Sequence, residues 1–175
     1  MIEEARMVRG KNGIVPDGEG WFVVNVAEAP WLESDKFGKV AWFEGKASFP
    51  HFGINVRVLQ PGQPACHYHR EDQQEAFLVL QGECRLLVEG QERMLRQWDF
   101  FHCPPDTNHV VVGAGDGPCV VLMVGKRDPN QKIVYPVDEL ALDHGAGVHT
   151  ETASPSEAYA GVGRRRECTA PPPFR

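Results

Sequence analysis

From about residue 38 to residue 126 the chain is made of short apolar runs broken at close intervals by Gly, Pro and Asp. Ile54, Val56 and Val58 alternate with Asn55 and Arg57, the period of two that marks a strand buried on one face. Pro61-Gly62 ends that run. Glu75 to Leu80 predicts a strand closed by Gly82, and Arg85 to Val88 with Arg93 to Leu95 flank Glu89-Gly90, a hairpin signature. Phe100-Phe101, Val110 to Val112 and Val120 to Val124 predict further strands, with turns at Pro104-Pro105 and Asp116-Gly117-Pro118. No stretch holds a helical period over ten residues. The pattern predicts an all-β fold, barrel or sandwich.

The flanks have a different texture. Residues 1–37 carry scattered Gly, Pro and charge and read as an N-terminal arm, with Trp21-Phe22-Val23-Val24 as one strand or its anchor. Residues 38–127 form the expected barrel domain, and 128–175 a C-terminal extension. Within that extension Ile133-Val134-Tyr135 predicts a strand and Val137 to Leu142 a helical turn. The Gly-, Ser- and Pro-rich remainder from about 143 is expected to be loosely ordered. Val110-Val111-Val112 and Val120-Val121-Leu122 are apolar on both faces, so their outer sides need a cover. The segments around Trp21 to Val24 and Ile133 to Tyr135 could supply it, or a second subunit could. A homodimer is the expectation, two-fold pairing being the commonest closed arrangement.

Composition narrows the partners. Net charge is −6, and the one basic run, Arg164-Arg165-Arg166, precedes a tail holding Pro171-Pro172-Pro173, so nucleic acid is not expected. No apolar run nears the roughly 18 residues of a membrane span, so no membrane partner is expected either. Met1-Ile2-Glu3-Glu4-Ala5-Arg6 is charged and lacks the apolar stretch of a secretory signal. Five cysteines without a C-x-x-C pair fit a reducing compartment, and the cytoplasm is the expected location.

The candidate chemistry lies in three histidines and a carboxylate. On a strand, His67 and His69 would project from one face, so both imidazoles could reach one point. Glu75 opens an apolar run, where a carboxylate needs compensation. His109 follows Pro104-Pro105 and opens the strand Val110-Val111-Val112, from which it can point inward. His51, His102, His144 and His149 read as surface or packing residues. Cys66 and Cys103 read as small apolar side chains close to the site. Trp98, Phe100 and Phe101 read as core, and the phase of Glu75 places Phe77 and Val79 inside the barrel. Arg57 and Gln81 are candidates to orient a polar group of a small-molecule substrate.

These residues resemble the two motifs of the cupin superfamily. Pro61-Gly62, His67-Tyr68-His69, Glu75 and Gly82 resemble the first, of form G-x5-H-x-H-x(3,4)-E-x6-G. Trp98-Asp99 through Pro104-Pro105-Asp106-Thr107-Asn108-His109 resembles the second, whose core is P-x-G-x-x-H. Together they cover about residues 53 to 125. Four residues separate Gly62 from His67, and five separate His69 from Glu75. Asp106 stands in place of a glycine, and Gly113 where asparagine is frequent. The longer loop leaves Glu71, Asp72, Gln73 and Gln74 as alternatives to Glu75, which is favoured by its six-residue gap to Gly82. The resemblance implies a cupin-type antiparallel β-barrel of jelly-roll form. It also implies one divalent metal ion held by His67, His69, Glu75 and His109, iron first, with zinc, manganese or nickel as alternatives. The expected function is a metal-dependent enzyme on a small organic substrate, foremost a dioxygenase. A non-catalytic ligand-binding or sensing cupin is the alternative.

Overall fold

The structure, a computed structural model, describes residues 1–174. A small hairpin, β1 (Met7–Arg9) with β2 (Ile14–Pro16), precedes β3 (Trp31–Ser34), β4 (Gly38–Trp42) and β5 (Phe52–Leu59). Next come the short β6 (Arg70–Glu71), β7 (Glu75–Gln81), β8 (Glu83–Val88), β9 (Gln91–Arg96), β10 (Phe100–Cys103), β11 (His109–Ala114) and β12 (Cys119–Lys126). The chain ends through β13 (Ile133–Val134), α1 (Glu139–Asp143), α2 (Pro155–Ala158) and β14 (Arg166–Cys168). A seven-stranded sheet runs in the order β10-β7-β12-β5-β4-β3-β14 and faces a three-stranded sheet β11-β8-β9. All pairings in both are antiparallel. This is the all-β architecture the pattern predicts, in the jelly-roll form the resemblance implies, although its two sheets do not close into a continuous ladder. The predicted hairpin is present: Glu89 (φ 48°) and Gly90 (φ 68°) make its two-residue turn between Val88 and Gln91.

The core lies between the sheets. Phe77, Val79, Val121 and Met123 from the large sheet meet Cys84, Leu86 and Val111 from the small one. The alternation in β5 is real, but its polar side faces inward: Asn55 and Arg57 line a cavity between the sheets, while Val56 and Val58 pack on the outside. That outer face is covered by the chain itself. Trp31, Ala29, Ala170 and Phe174 lie against Val56, Val58 and Val120. On the small sheet, Ala141 and Ala146 cover Leu87, Val110 and Val112. The need for a cover was legible, but Trp21 and Val23 are exposed, so the segment from Trp21 to Val24 does not supply it.

Other expectations shift for related reasons. The seven-stranded sheet extends beyond residues 38–127 at both ends, taking β3 from the expected arm and β14 from the expected tail. Beyond residue 143 the chain packs back on the domain: Ser154 caps α2, and Arg166 pairs with Asp35 and Glu33 beside β3. Its alanines and tyrosines dock individually, which a composition-based reading misses. Phe101 joins the core, but Phe100 (63% exposed) points off the edge strand β10 and Trp98 (68% exposed) sits in a turn.

The second motif's turn keeps the backbone its glycine would have. Asp106 has φ 62°, a left-handed conformation that Asp tolerates better than most residues, and its amide donates to the Glu71 carbonyl at 2.7 Å. Asp106 is exposed, so packing will not mask the backbone effect. Asp106→Val should cost about 1–2 kcal/mol in urea unfolding, whereas Asp106→Gly should be neutral or mildly stabilising.

Candidate metal centre

His69 and His109 are brought together by the backbone. They form an isolated antiparallel bridge, exchanging both main-chain bonds (His69 N to His109 O, 3.2 Å; His109 N to His69 O, 2.8 Å). Residues opposed in this way put their side chains on one face, and the two rings lie 4.9 Å apart. Glu75 enters from the first position of β7, across from Gly125 of β12 and Cys103 of β10. One ligand atom from each of His69, Glu75 and His109 lies within 4.8 Å of the others.

Hydrogen bonds fix which imidazole nitrogen is offered. His69 Nδ1 donates to the His67 carbonyl at 2.7 Å, and His109 Nδ1 to the Thr107 carbonyl at 3.0 Å. Both rings therefore present the Nε2 lone pair inward, the arrangement metal-binding histidines adopt. Glu75 Oε2 and His109 Nε2 stand 3.1 Å apart, yet both are buried without an aligned hydrogen-bond partner. Two acceptors converging on one point suit a cation, a metal ion or a proton, because without one each would carry an uncompensated desolvation cost. The donor set fits a divalent ion.

Without such an ion the site draws protons. Burial opposes a charged His109, but the Cys103 thiol at 3.3 Å and the Glu75 carboxylate outweigh it and push the imidazole up to about 10. Burial likewise opposes charge on His69, which Cys66, Glu71 and Glu75 together hold well above the ordinary histidine range. Burial would raise Glu75, but His109, His69 and Arg57 overcome it and lower the carboxyl.

His67 is not part of this cluster. Its segment pairs with β11 at Pro64–Val112 and again at His69–His109, so five steps along one strand match three along the other. The two extra residues loop out as a bulge, and the same-face rule for i and i+2 fails there. The His67 ring turns into an aromatic slot, 5.0 Å from Phe37 and 4.9 Å from Tyr159, with Nδ1 on the Ala146 carbonyl at 3.1 Å. Burial and Lys36 lower its pKa, so it is neutral.

Of the loop alternatives, Glu71 reaches the site. Its Oε1 is 3.6 Å from His69 Nε2, and its other oxygen accepts from the Gln131 side chain. Asp72 instead caps Lys132 N and bonds Gln73, and Gln74 is exposed.

The cavity above the three residues has a volume of about 200 Å³. Arg57 and Phe77 line it. Val79 lies deeper, in the core with Leu86 and Val111, and Gln81 is exposed beside Gly115 and Asp116. At about 3.4 Å per residue, Gln81 is roughly 20 Å along β7 from Glu75 and cannot reach. The sequence reading passed over Asn55, Met123, Tyr135 and Tyr159 as cavity residues. Tyr135 was legible as the end of an apolar run, but Tyr159 has no local signal. Burial pushes Tyr135 up to about 12 and Tyr159 higher still, so both keep their hydroxyl protons at neutral pH. Cys66, Cys84, Cys103 and Cys119 are free thiols, with Cys66 and Cys103 each beside the Nδ1 of a site histidine.

The family model for the cupin domain matches residues 55–125, the span from β5 to β12. A solved sugar phosphate isomerase of the cupin superfamily from Silicibacter pomeroyi is 25% identical, over 59% of this chain and 72% of that one, with a TM-score of 0.51. A putative sugar phosphate isomerase from Acidithiobacillus ferrooxidans is 27% identical over 47% of this chain, with a TM-score of 0.46, and the match spans only 55% of that protein. A polyketide cyclase from Streptomyces resistomycificus superposes with a TM-score of 0.54 over 63% of this chain and 83% of its own; at 14% identity it shares the fold alone. No curated protein matches the sequence. Among the described residues no helix is long and apolar enough to cross a membrane.

Proposed function

We propose that this chain, whose residues 55–125 form a cupin domain, is a metal-dependent enzyme acting on a small organic substrate, and that its reaction is an iron-dependent dioxygenation. One observation carries the reading: with His67 turned away, the inward donors are two histidines and one carboxylate at the floor of a cavity. That donor set with open positions suits non-haem Fe(II) oxygen chemistry better than a closed, purely structural site. His69, Glu75 and His109 would hold the ion, which supplies a binding and activation point for oxygen or substrate. Phe77, Met123 and Ile133 give the cavity apolar wall and limit water around it. Tyr135 and Tyr159 add neutral hydroxyl donors.

The test is oxygen uptake by Fe(II)-loaded protein against a panel of small aromatic, thiol and hydroxy-acid substrates. Uptake that depends on both substrate and Fe(II), with no uptake from the zinc form, is the expected result. Stoichiometric metal with no uptake, but with interconversion of an aldose and a ketose phosphate, would replace oxidation by Lewis-acid isomerisation. The 25% identical sugar phosphate isomerase structure favours that second reading. Metal and ligand binding without turnover would leave a binding module.

A further inference from the structure

The buried charge in the cavity with the least support is Arg57. Its residue is 8% exposed, and its guanidinium makes one hydrogen bond among the described residues, from Nη1 to the Ala65 carbonyl at 2.5 Å. Among the described residues Nε is buried with no partner, and no carboxylate lies within ion-pair distance. An arginine has five N–H donors in a planar fork, and leaving such a charge desolvated and unpaired destabilises a fold. Structural economy would put Met or Leu at this position.

The surroundings say what the fork awaits. Arg57 and Asn55 sit two apart on β5 and line the same cavity as His69, Glu75 and His109. Among the described residues the lining carboxylates are Glu71 and Glu75, and both lie against the histidines; the Cys66 thiol also lines the cavity, where burial opposes its ionisation but His69 and Arg57 outweigh that and lower its pKa. With a divalent ion, neutral histidines and Cys66 as the thiol, the ion and Arg57 contribute three positive charges against two negative ones. The cavity then carries one positive charge in excess, and its volume of about 200 Å³ admits only a small molecule. A planar fork matches a carboxylate in two-point contact.

We infer that Arg57 is the anchor for the carboxylate of a small organic acid, which lies between that guanidinium and the His69–Glu75–His109 cluster. This deepens the enzymatic reading by naming the substrate class, and its test separates the two. Acetate is the probe, with acetamide as its neutral match, and the readout is the Arg57 Nε–Hε signal in ¹H–¹⁵N NMR. Zinc-loaded and chelator-treated protein are titrated in parallel, with zinc content measured on the same samples. Acetate should shift the Arg57 signal saturably in both forms and bind at least about tenfold more tightly than acetamide, as charge-assisted bonds require. In Arg57→Met, the acetate response of the Asn55 side-chain amide should vanish while thermal stability holds or rises. Equal, non-saturating responses to acetate and acetamide overturn the inference, as does an undiminished acetate response in Arg57→Met. If that variant fails to fold, the wild-type titration decides alone. A sample that binds acetate at Arg57 but no zinc refutes the metal-enzyme reading and keeps this one; zinc without acetate binding does the reverse.

Discussion

Replacing His69 and His109 together by Ala should leave the purified protein without stoichiometric metal, whereas His67→Ala should keep its full complement. The contrast follows from the bulge between Pro64 and His69, which sends His67 into the slot formed by Phe37 and Tyr159 and leaves the other two rings facing Glu75. Structural zinc sites bind with about 10–16 kcal/mol shared among four ligands, so each ligand there accounts for roughly two to three orders of magnitude in affinity. Losing two takes a tight site out of the range that survives purification. Glu75→Gln keeps the shape and removes the charge, and should weaken binding by about a hundredfold on the same reasoning. Glu71→Gln is the control for the rim: its oxygen 3.6 Å from His69 Nε2 places it beside the cluster rather than in it, and a smaller loss is expected. Elemental analysis followed by chelator competition reads all four variants. Retention of metal in the double variant, or its loss in His67→Ala, would mean that the ion sits elsewhere. Circular dichroism should show the β-fold intact throughout, because the Phe77, Val79, Leu86, Val111 and Val121 core lies below the site.

How far the sequence reveals this site depends on whether each cue is local. β7, β8, β9, β11 and β12 all stand where apolar runs and turn residues predict them, because strand alternation and two-residue turns are read within a few positions. Glu75 and His109 are legible for the same reason, being the first residues of their strands. His67 misleads because the i, i+2 rule presumes extended backbone, and nothing in Cys66-His67-Tyr68 announces a bulge. Val79 shares the phase of Glu75, yet phase says nothing about depth, and at Gln81 an irregularity in the pairing with Val120 and Val121 breaks the phase altogether. Tyr159 and Ala170 were beyond reach, since their roles rest on contacts with Phe37, His67 and Trp31 far away in sequence. The inward polar face of β5 is the most instructive reversal: alternation reports two unlike faces but not which of them faces the interior. A functional cavity inverts the usual assignment.

Metal affinity should climb steeply with pH across neutrality and keep climbing past pH 8. In the metal-free protein His109 holds its proton up to about 10, because Cys103 and Glu75 outweigh burial, and His69 is raised for similar reasons by Cys66, Glu71 and Glu75. A metal needs the Nε2 lone pair, so it must displace those protons, while Glu75, whose pKa is lowered, is already ionised and releases none. Protons and metal therefore compete; raising the pH removes the competitor and strengthens binding. With rings 4.9 Å apart, the two imidazolium charges oppose each other, so uptake should release between one and two protons. The apparent affinity should then rise by about ten- to a hundredfold per pH unit around neutrality. A site built from ordinary histidines would level off soon above their usual pKa of about 6.5. The same protons stabilise the metal-free fold: that contribution is complete below the unfolded histidine pKa and is lost as pH rises through about 10. Zinc titration against a chelator from pH 6 to 9, with proton release taken from calorimetry in buffers of different ionisation enthalpy, measures both slope and stoichiometry. Cys103→Ala removes the largest influence raising His109 and should flatten the profile at its upper end. An affinity that levels off at pH 7, or a release well below one proton, would show that the histidines are not charged in the metal-free site.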